Sequence, residues 1–124
     1  MQMAKKILVI DDEEKIRKVL TIHLTGAGYE VITATNGFEA LRDMDRIQPH
    51  LVITDIVMPK VSGLEFGQAL RNKAETKGIP FIVISAYSDP ETVEKARKLG
   101  ASKFLAKPFE IKALLDAVRR ALET

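Results

Sequence analysis

Apolar residues follow two alternating rhythms along the chain. Short unbroken runs rich in β-branched residues occur at KILVID (6–11), YEVITA (29–34), LVITD (51–55), IPFIVISA (79–86) and KFLAK (103–107). Runs of this kind fit strands covered on both faces, not strands with one wet side. Between them, apolar residues recur every three or four positions, the period of an amphipathic helix. EEKIRKVLTIHLTGAG (13–28) aligns Ile16, Leu20, Leu24 and Ala27 on one stripe, with glycines to end it. NGFEALRDMDRIQP (36–49) carries Ala40, Leu41, Met44 and Ile47, and SGLEFGQALRNKAETKG (62–78) closes on a glycine. DPETVEKARKLG (89–100) opens with Asp89 as a cap and Pro90 at the first helical position. FEIKALLDAVRRALE (109–123) turns Ile111, Leu114, Leu115, Val118 and Leu122 inward. Strands alternating with helices predict an α/β fold, a doubly wound five-stranded parallel sheet with five helices.

Ligand sites in such a sheet lie at the carboxyl ends of the strands, near the point where strand order reverses. The strand-like runs end in Asp11 and Asp12, in Asp55, in Ser85 and in Lys107. Polar chemistry therefore gathers at one edge of an oily sheet. Asp55 stands out, because an acid leaving water costs several kcal/mol, roughly, unless it is paired or metal-bound. Three carboxylates in one pocket repel each other unless a cation is present. Oxygen ligands without His or Cys suit Mg²⁺, or another hard ion such as Mn²⁺. Lys107 can hold a phosphate oxygen and Ser85 offers a hydroxyl. An Asp carboxylate can itself act as nucleophile and form an acyl phosphate.

Composition narrows the picture. A chain of 124 residues is read as one domain, with the last helix leaving no effector domain in it. Nineteen basic residues against 17 acidic give a net charge of +2, with no basic run to suggest direct nucleic-acid binding. Lys95, Arg97, Lys98, Lys103, Arg119 and Arg120 are expected on solvated faces, and His23 is expected packed on the inner side of the first helix. With no cysteine, disulfides and zinc–thiolate sites are excluded. No apolar stretch nears the roughly 20 residues that span a membrane, and MQMAKK runs straight into a strand pattern. A cytoplasmic protein with no membrane partner is expected.

These motifs, in this order, resemble the receiver domain of two-component response regulators, the CheY-like family. The resemblance covers essentially the whole chain. It rests on Asp11–Asp12, on Asp55 followed by Met58–Pro59 and Gly63, on Ser85–Ala86, and on Lys107–Pro108–Phe109. It implies a flavodoxin-like sheet of order 2-1-3-4-5. It implies that Asp55 is the phosphoacceptor, and that Asp12, Asp55 and the backbone carbonyl of Val57 bind Mg²⁺ directly, with Asp11 acting through a metal-bound water. Lys107 would hold the phosphate, Lys107–Pro108 would be cis, and Ser85 and Phe104 would be the switch pair. The implied partner is a histidine kinase or a histidine phosphotransfer protein. The domain would catalyse its own phosphorylation and slow hydrolysis, with no external substrate.

Rival readings fare worse. An aspartyl-nucleophile phosphatase usually carries a second Asp two residues after the nucleophile, where this chain has Val57. A nucleotide-binding loop wants glycines, and the first strand–helix turn is DDEEK. A pseudo-receiver would lack part of the set Asp11, Asp12, Asp55, Ser85 and Lys107. Two finer expectations concern tuning and docking. Val57 and Tyr87 flank the path of the hydrolytic water in receiver domains and offer it little orientation, which predicts a long-lived phosphate. Ile22 points away from the inward stripe between Lys15 and Lys18, which predicts a contact for the phosphodonor protein.

Overall fold

The computed structural model describes residues 4–56 and 62–123. Its strands are β1 (Lys6–Ile10), β2 (Glu30–Ala34), β3 (Leu51–Asp55), β4 (Phe81–Ser85) and β5 (Lys103–Ala106). The helices are α1 (Glu14–Gly26), α2 (Gly37–Ile47), α3 (Gly63–Asn72), α4 (Pro90–Lys98) and α5 (Ile111–Leu122). All strands pair in parallel in the order β2-β1-β3-β4-β5. The chain thus steps outward from β1 to β2, then crosses back to β3. The reversal point falls between β1 and β3, the two strands that end in Asp11 and Asp55.

Period-2 alternation splits the sheet into two oily faces. Leu8, Ile10, Val52, Phe81 and Val83 pack against α2, α3 and α4 through Ala40, Met44, Ile47, Phe66, Leu70 and Ala96. Ile7, Val9, Leu51, Ile53, Ile82, Ile84 and Leu105 pack against α1 and α5 through Leu20, Leu24, Leu114, Ala117 and Val118. The central strands β3 and β4 are buried at every position, as their unbroken apolar runs require.

Three helix starts, those of α2, α3 and α4, follow the expected chemistry. The Asn36 side chain accepts the Glu39 N–H, Asp89 accepts the Thr92 N–H ahead of Pro90, and Ser62 with Glu65 forms a reciprocal capping box.

Element ends differ from the sequence pattern in identifiable ways. The first helix stops at Gly26, and the Ala27 N–H closes onto the carbonyls of His23 and Leu24. Ala27 is therefore an exposed cap residue rather than part of the inward stripe, and His23 is exposed, one step off the Leu20–Leu24 line. The third helix ends at Asn72 instead of reaching residue 78, because Lys73 turns extended and the Thr76 hydroxyl folds back to the Leu70 carbonyl (2.8 Å). Arg71 holds this turn. Its guanidinium donates to the carbonyls of Lys77, Ile79, Leu99 and Gly100 at 2.9–3.3 Å and lies over the Phe81 ring. One side chain thus ties the α3–β4 connection to the end of α4. Lys95, Arg97, Lys98, Lys103, Arg119 and Arg120 are exposed, and several sit in helix-surface ion pairs such as Lys95–Glu91 and Arg120–Asp116.

Candidate functional site

Alternation continues past the strand ends and sorts the polar residues. Asp11 follows Ile7 and Val9, Asp55 follows Leu51 and Ile53, and Lys107 follows Leu105, all in the register of the α1/α5 face. Ser85 falls in the opposite register, that of Phe81 and Val83, and Phe104 packs onto this second cluster. The acid–lysine group and the hydroxyl–aromatic pair therefore occupy opposite faces of one sheet edge.

Asp11 is fully buried. Its Oδ1 accepts the Glu13 N–H (2.9 Å) and its Oδ2 accepts from Lys107 Nζ (3.1 Å), while Arg17 Nη1 donates to its carbonyl (2.8 Å). Asp55 is 6% exposed. Its Oδ1 accepts the Ile56 N–H (2.6 Å) and its Oδ2 accepts from Lys107 Nζ (2.7 Å). Asp12 is exposed at the rim, and the three aspartates each offer an oxygen within 4.8 Å of the others. Lys107 lies mostly covered and donates a third bond to Glu13 Oε1 (3.0 Å). The pocket is thus three carboxylates around one ammonium, with Asp12 beside two of them.

Burial pushes the Asp11 carboxyl above its ordinary value, against the opposing pull of the Glu13 N–H and Lys107. Burial alone would lower Lys107, but bonds to Asp55, Glu13 and Asp11 outweigh it and hold the ammonium well above its usual value. Lys107 is therefore a fixed positive charge at any physiological pH. Three carboxylate oxygens, at least two of them stripped of bulk water, form a hard donor set that fits Mg²⁺ better than a softer ion.

The remaining residues fall around this centre. The Ser85 hydroxyl is buried and accepts the Tyr87 N–H (3.0 Å), while its carbonyl accepts the Lys107 N–H (2.8 Å). Phe104 is half-buried. Tyr87 is 58% exposed, so its ring lies largely in solvent. The Lys107–Pro108 peptide is cis. Gly63 is buried against the backbone of Asp55 and Ile56. Ile22 is 68% exposed on α1, with Lys15 and Lys18 exposed nearby and Lys18 paired to Glu14. Val57, Met58 and Pro59 lie outside the described residues. Sequence reasoning missed Glu13 and Arg17. The only signal was a third acid directly after the Asp pair, and its partner stands 94 positions away.

Comparison with known proteins decides the family. The model for the response regulator receiver domain matches residues 7–119. The chain belongs to that family. Among relatives of this receiver domain, a probable chemotaxis protein CheY from Rhizobium etli is 41% identical over 122 residues, covering 95% of both chains. A probable transcriptional regulator ycf27 from Porphyridium aerugineum is 41% identical over 118 residues, and the match covers 95% of this chain and 48% of that one. The receiver domain thus spans about half the length of several relatives it matches. Among solved structures, CheY4 of Vibrio cholerae aligns at 34% identity with a TM-score of 0.89, covering 97% of this chain and all of that one. A putative response regulator from Chloroflexus aurantiacus aligns at 31% identity with a TM-score of 0.93, covering 98% and 100%. Phosphoryl transfer to an aspartate is the general function of the family, and its Mg²⁺ is bound by an acidic cluster.

Proposed function

We propose that Asp55 accepts a phosphoryl group and that the receiver domain relays it as a change of surface. The observation that carries this reading is the Asp55 carboxylate, nearly buried at a strand end, hydrogen-bonded to Lys107 and clustered with Asp11 and Asp12. Burial strips the nucleophile of water, and Lys107 supplies a fixed donor where phosphoryl oxygens gather charge. Catalysis of phosphoryl transfer consists largely of such positioning and charge stabilisation. An Asp55 oxygen attacks phosphorus, the bond from phosphorus to the donor nitrogen breaks, and its electron pair stays on the departing imidazole. Asp12, Asp55 and the carbonyl of Val57 would hold Mg²⁺, with Asp11 reaching it through water. When bound, the ion offsets charge on the phosphoryl oxygens.

The phosphodonor is a histidine kinase or a histidine phosphotransfer protein. The exposed Ile22 between Lys15 and Lys18 is the proposed contact on α1. Residues 1–124 act as one receiver domain in the cytoplasm, with no direct nucleic-acid or membrane contact of its own. No helix among the described residues is long and apolar enough to cross a membrane. Ser85 and Phe104 form the switch, the hydroxyl moving onto the phosphate and the ring turning inward. Slow self-catalysed hydrolysis resets the domain.

Acetyl phosphate with Mg²⁺, followed by intact mass, tests the assignment. Wild type should gain one base-labile phosphoryl group and Asp55→Asn none. Equal uptake by that variant would move the phosphoacceptor elsewhere.

A further inference from the structure

Lys107 has three N–H donors, and each is engaged: Asp55 at 2.7 Å, Glu13 at 3.0 Å and Asp11 at 3.1 Å. A phosphoryl group arriving on Asp55 brings oxygens that need such a donor. One carboxylate must therefore let go. The three partners are not equal. The side chains of Asp11 and Asp55 are 0% and 8% exposed, whereas that of Glu13 is 59% exposed. Releasing Asp11 would leave a fully buried carboxylate with one oxygen held by the Glu13 N–H and the other without its ammonium. Releasing Asp55 would undo the contact that aims Lys107 at the phosphoryl group. Glu13 alone can swing into water at little cost. It sits at the N-cap position of α1 yet makes no capping bond with its side chain, which turns to Lys107 instead.

We propose that Glu13 is a positioning residue that occupies, in the resting domain, the Lys107 donor later taken by the phosphoryl group. It keeps the ammonium centred over the pocket before the phosphoryl group arrives. It also competes with that group, and so sets how readily the site charges. This rests on the reading of Asp55 as phosphoacceptor. The competition is that of a partly exposed ion pair, so relieving it should tighten binding of a phosphoryl mimic about two- to tenfold.

The test uses the whole chain, Mg²⁺ and beryllofluoride formed from beryllium chloride and sodium fluoride, with binding followed by ¹⁹F NMR. Glu13→Gln should bind beryllofluoride two- to tenfold tighter, by the same reasoning, and charge faster with acetyl phosphate. Glu13→Asp keeps the charge but falls short of Lys107, and should behave like Glu13→Gln. Glu14→Gln removes the same charge from the same helix end without touching Lys107, since Glu14 pairs with Lys18. It should match wild type. A second readout follows the position itself: the Glu13 carboxylate ¹³C signal should move to that of a solvent-exposed glutamate when beryllofluoride binds. If Glu13→Gln and wild type bind equally, or the Glu13 signal stays fixed, the inference is overturned while Asp55 stands. An effect of equal size from Glu14→Gln reduces it to bulk charge and overturns it too. If wild type takes neither beryllofluoride nor a phosphoryl group, the reading of Asp55 fails and the inference falls with it.

Discussion

The backbone carbonyl of Asp55 occupies the space that a side chain on Gly63 would need: a Cβ built there would lie 2.0 Å from that oxygen. The contact is backbone against backbone, so no flexible side chain can yield. The Gly63 N–H also donates to the Ile56 carbonyl (2.9 Å), which draws α3 onto the end of β3. Gly63 thus fixes where the strand carrying Asp55 ends.

We therefore expect Gly63→Ala to destabilise the domain by about 1–3 kcal/mol through overpacking. At a glycine whose backbone suits alanine and whose Cβ site is open, the same change would stiffen the unfolded chain and gain about 0.4–1 kcal/mol. Urea denaturation separates the two signs. A variant as stable as wild type would show that the backbone relaxes without penalty.

Arg71 donates to four carbonyls, of Lys77, Ile79, Leu99 and Gly100. Arg71→Ala should cost about 2–4 kcal/mol, since net hydrogen bonds of roughly 1 kcal/mol each are lost and some carbonyls are left under cover. Arg71→Lys should recover little, because one ammonium cannot reproduce the planar fork. Recovery of most of the stability by lysine would point to charge alone.

Lys107→Met should affect two readouts in opposite directions. Removing the ammonium leaves Asp11 and Asp55 without their shared donor, so Mg²⁺ should bind a few-fold tighter, the competing positive charge being gone. Charging by acetyl phosphate should fall by about a hundred- to a thousand-fold, the usual scale for a lost charge-stabilising donor. Calorimetric Mg²⁺ titration and intact mass read the two separately, and weaker Mg²⁺ binding in the variant would contradict this placement of Lys107.

The raised pKa of Asp11 sets a pH dependence. An acid whose folded value is raised contributes stability below its unfolded value of 3.8, and that contribution is lost as pH rises through the folded value. In the cation-free protein this group therefore favours the folded state on acidification from neutral pH. Mg²⁺ competes with the proton for the same site. The rise in Tm produced by Mg²⁺ should shrink as pH falls from about 7 to about 4.5, beginning above the range of an ordinary aspartate. A Mg²⁺ effect undiminished over that range would separate Asp11 from the ion.

Tyr87 presents a mostly exposed ring beyond the Ser85 hydroxyl, a poor position from which to orient a water on Asp55. Val57→Asn combined with Tyr87→Glu should speed loss of the phosphoryl group by up to about a hundred-fold, the lower end of what a positioned proton acceptor contributes. Decay would be followed after removing the donor. A double variant that decays no faster would assign the lifetime to other residues.

The fold was legible because buried parallel strands leave unbroken apolar runs, and β1, β3 and β4 do so without interruption. Asp11, Asp55, Ser85 and Lys107 could be grouped because topology sends strand ends to one edge. The end of α3 could not be read, since it depends on Arg71 and on the Thr76 hydroxyl reaching back to Leu70. Exposure of Ala27 follows from where α1 stops, which a helical period does not specify, whereas that of His23 follows from its place one step off the Leu20–Leu24 line. Glu13 looked like one more acid at a helix start. Its bond to Lys107 appears only once β5 lies in the sheet.

Lys107 and Asp11 meet across 96 positions of sequence, and Lys107 and Asp55 across 52. No local segment contains the pocket, and the first and last strands must both be docked before it exists. Long-range pairings of this kind form late and slowly, because loop closure must precede any compensating contact. A nascent or partly unfolded copy therefore presents an ordinary solvated aspartate without its lysine. On the reading of Asp55 as phosphoacceptor, the ability to take the chemical mark is withheld until the sheet is complete, so the mark itself would certify a finished molecule.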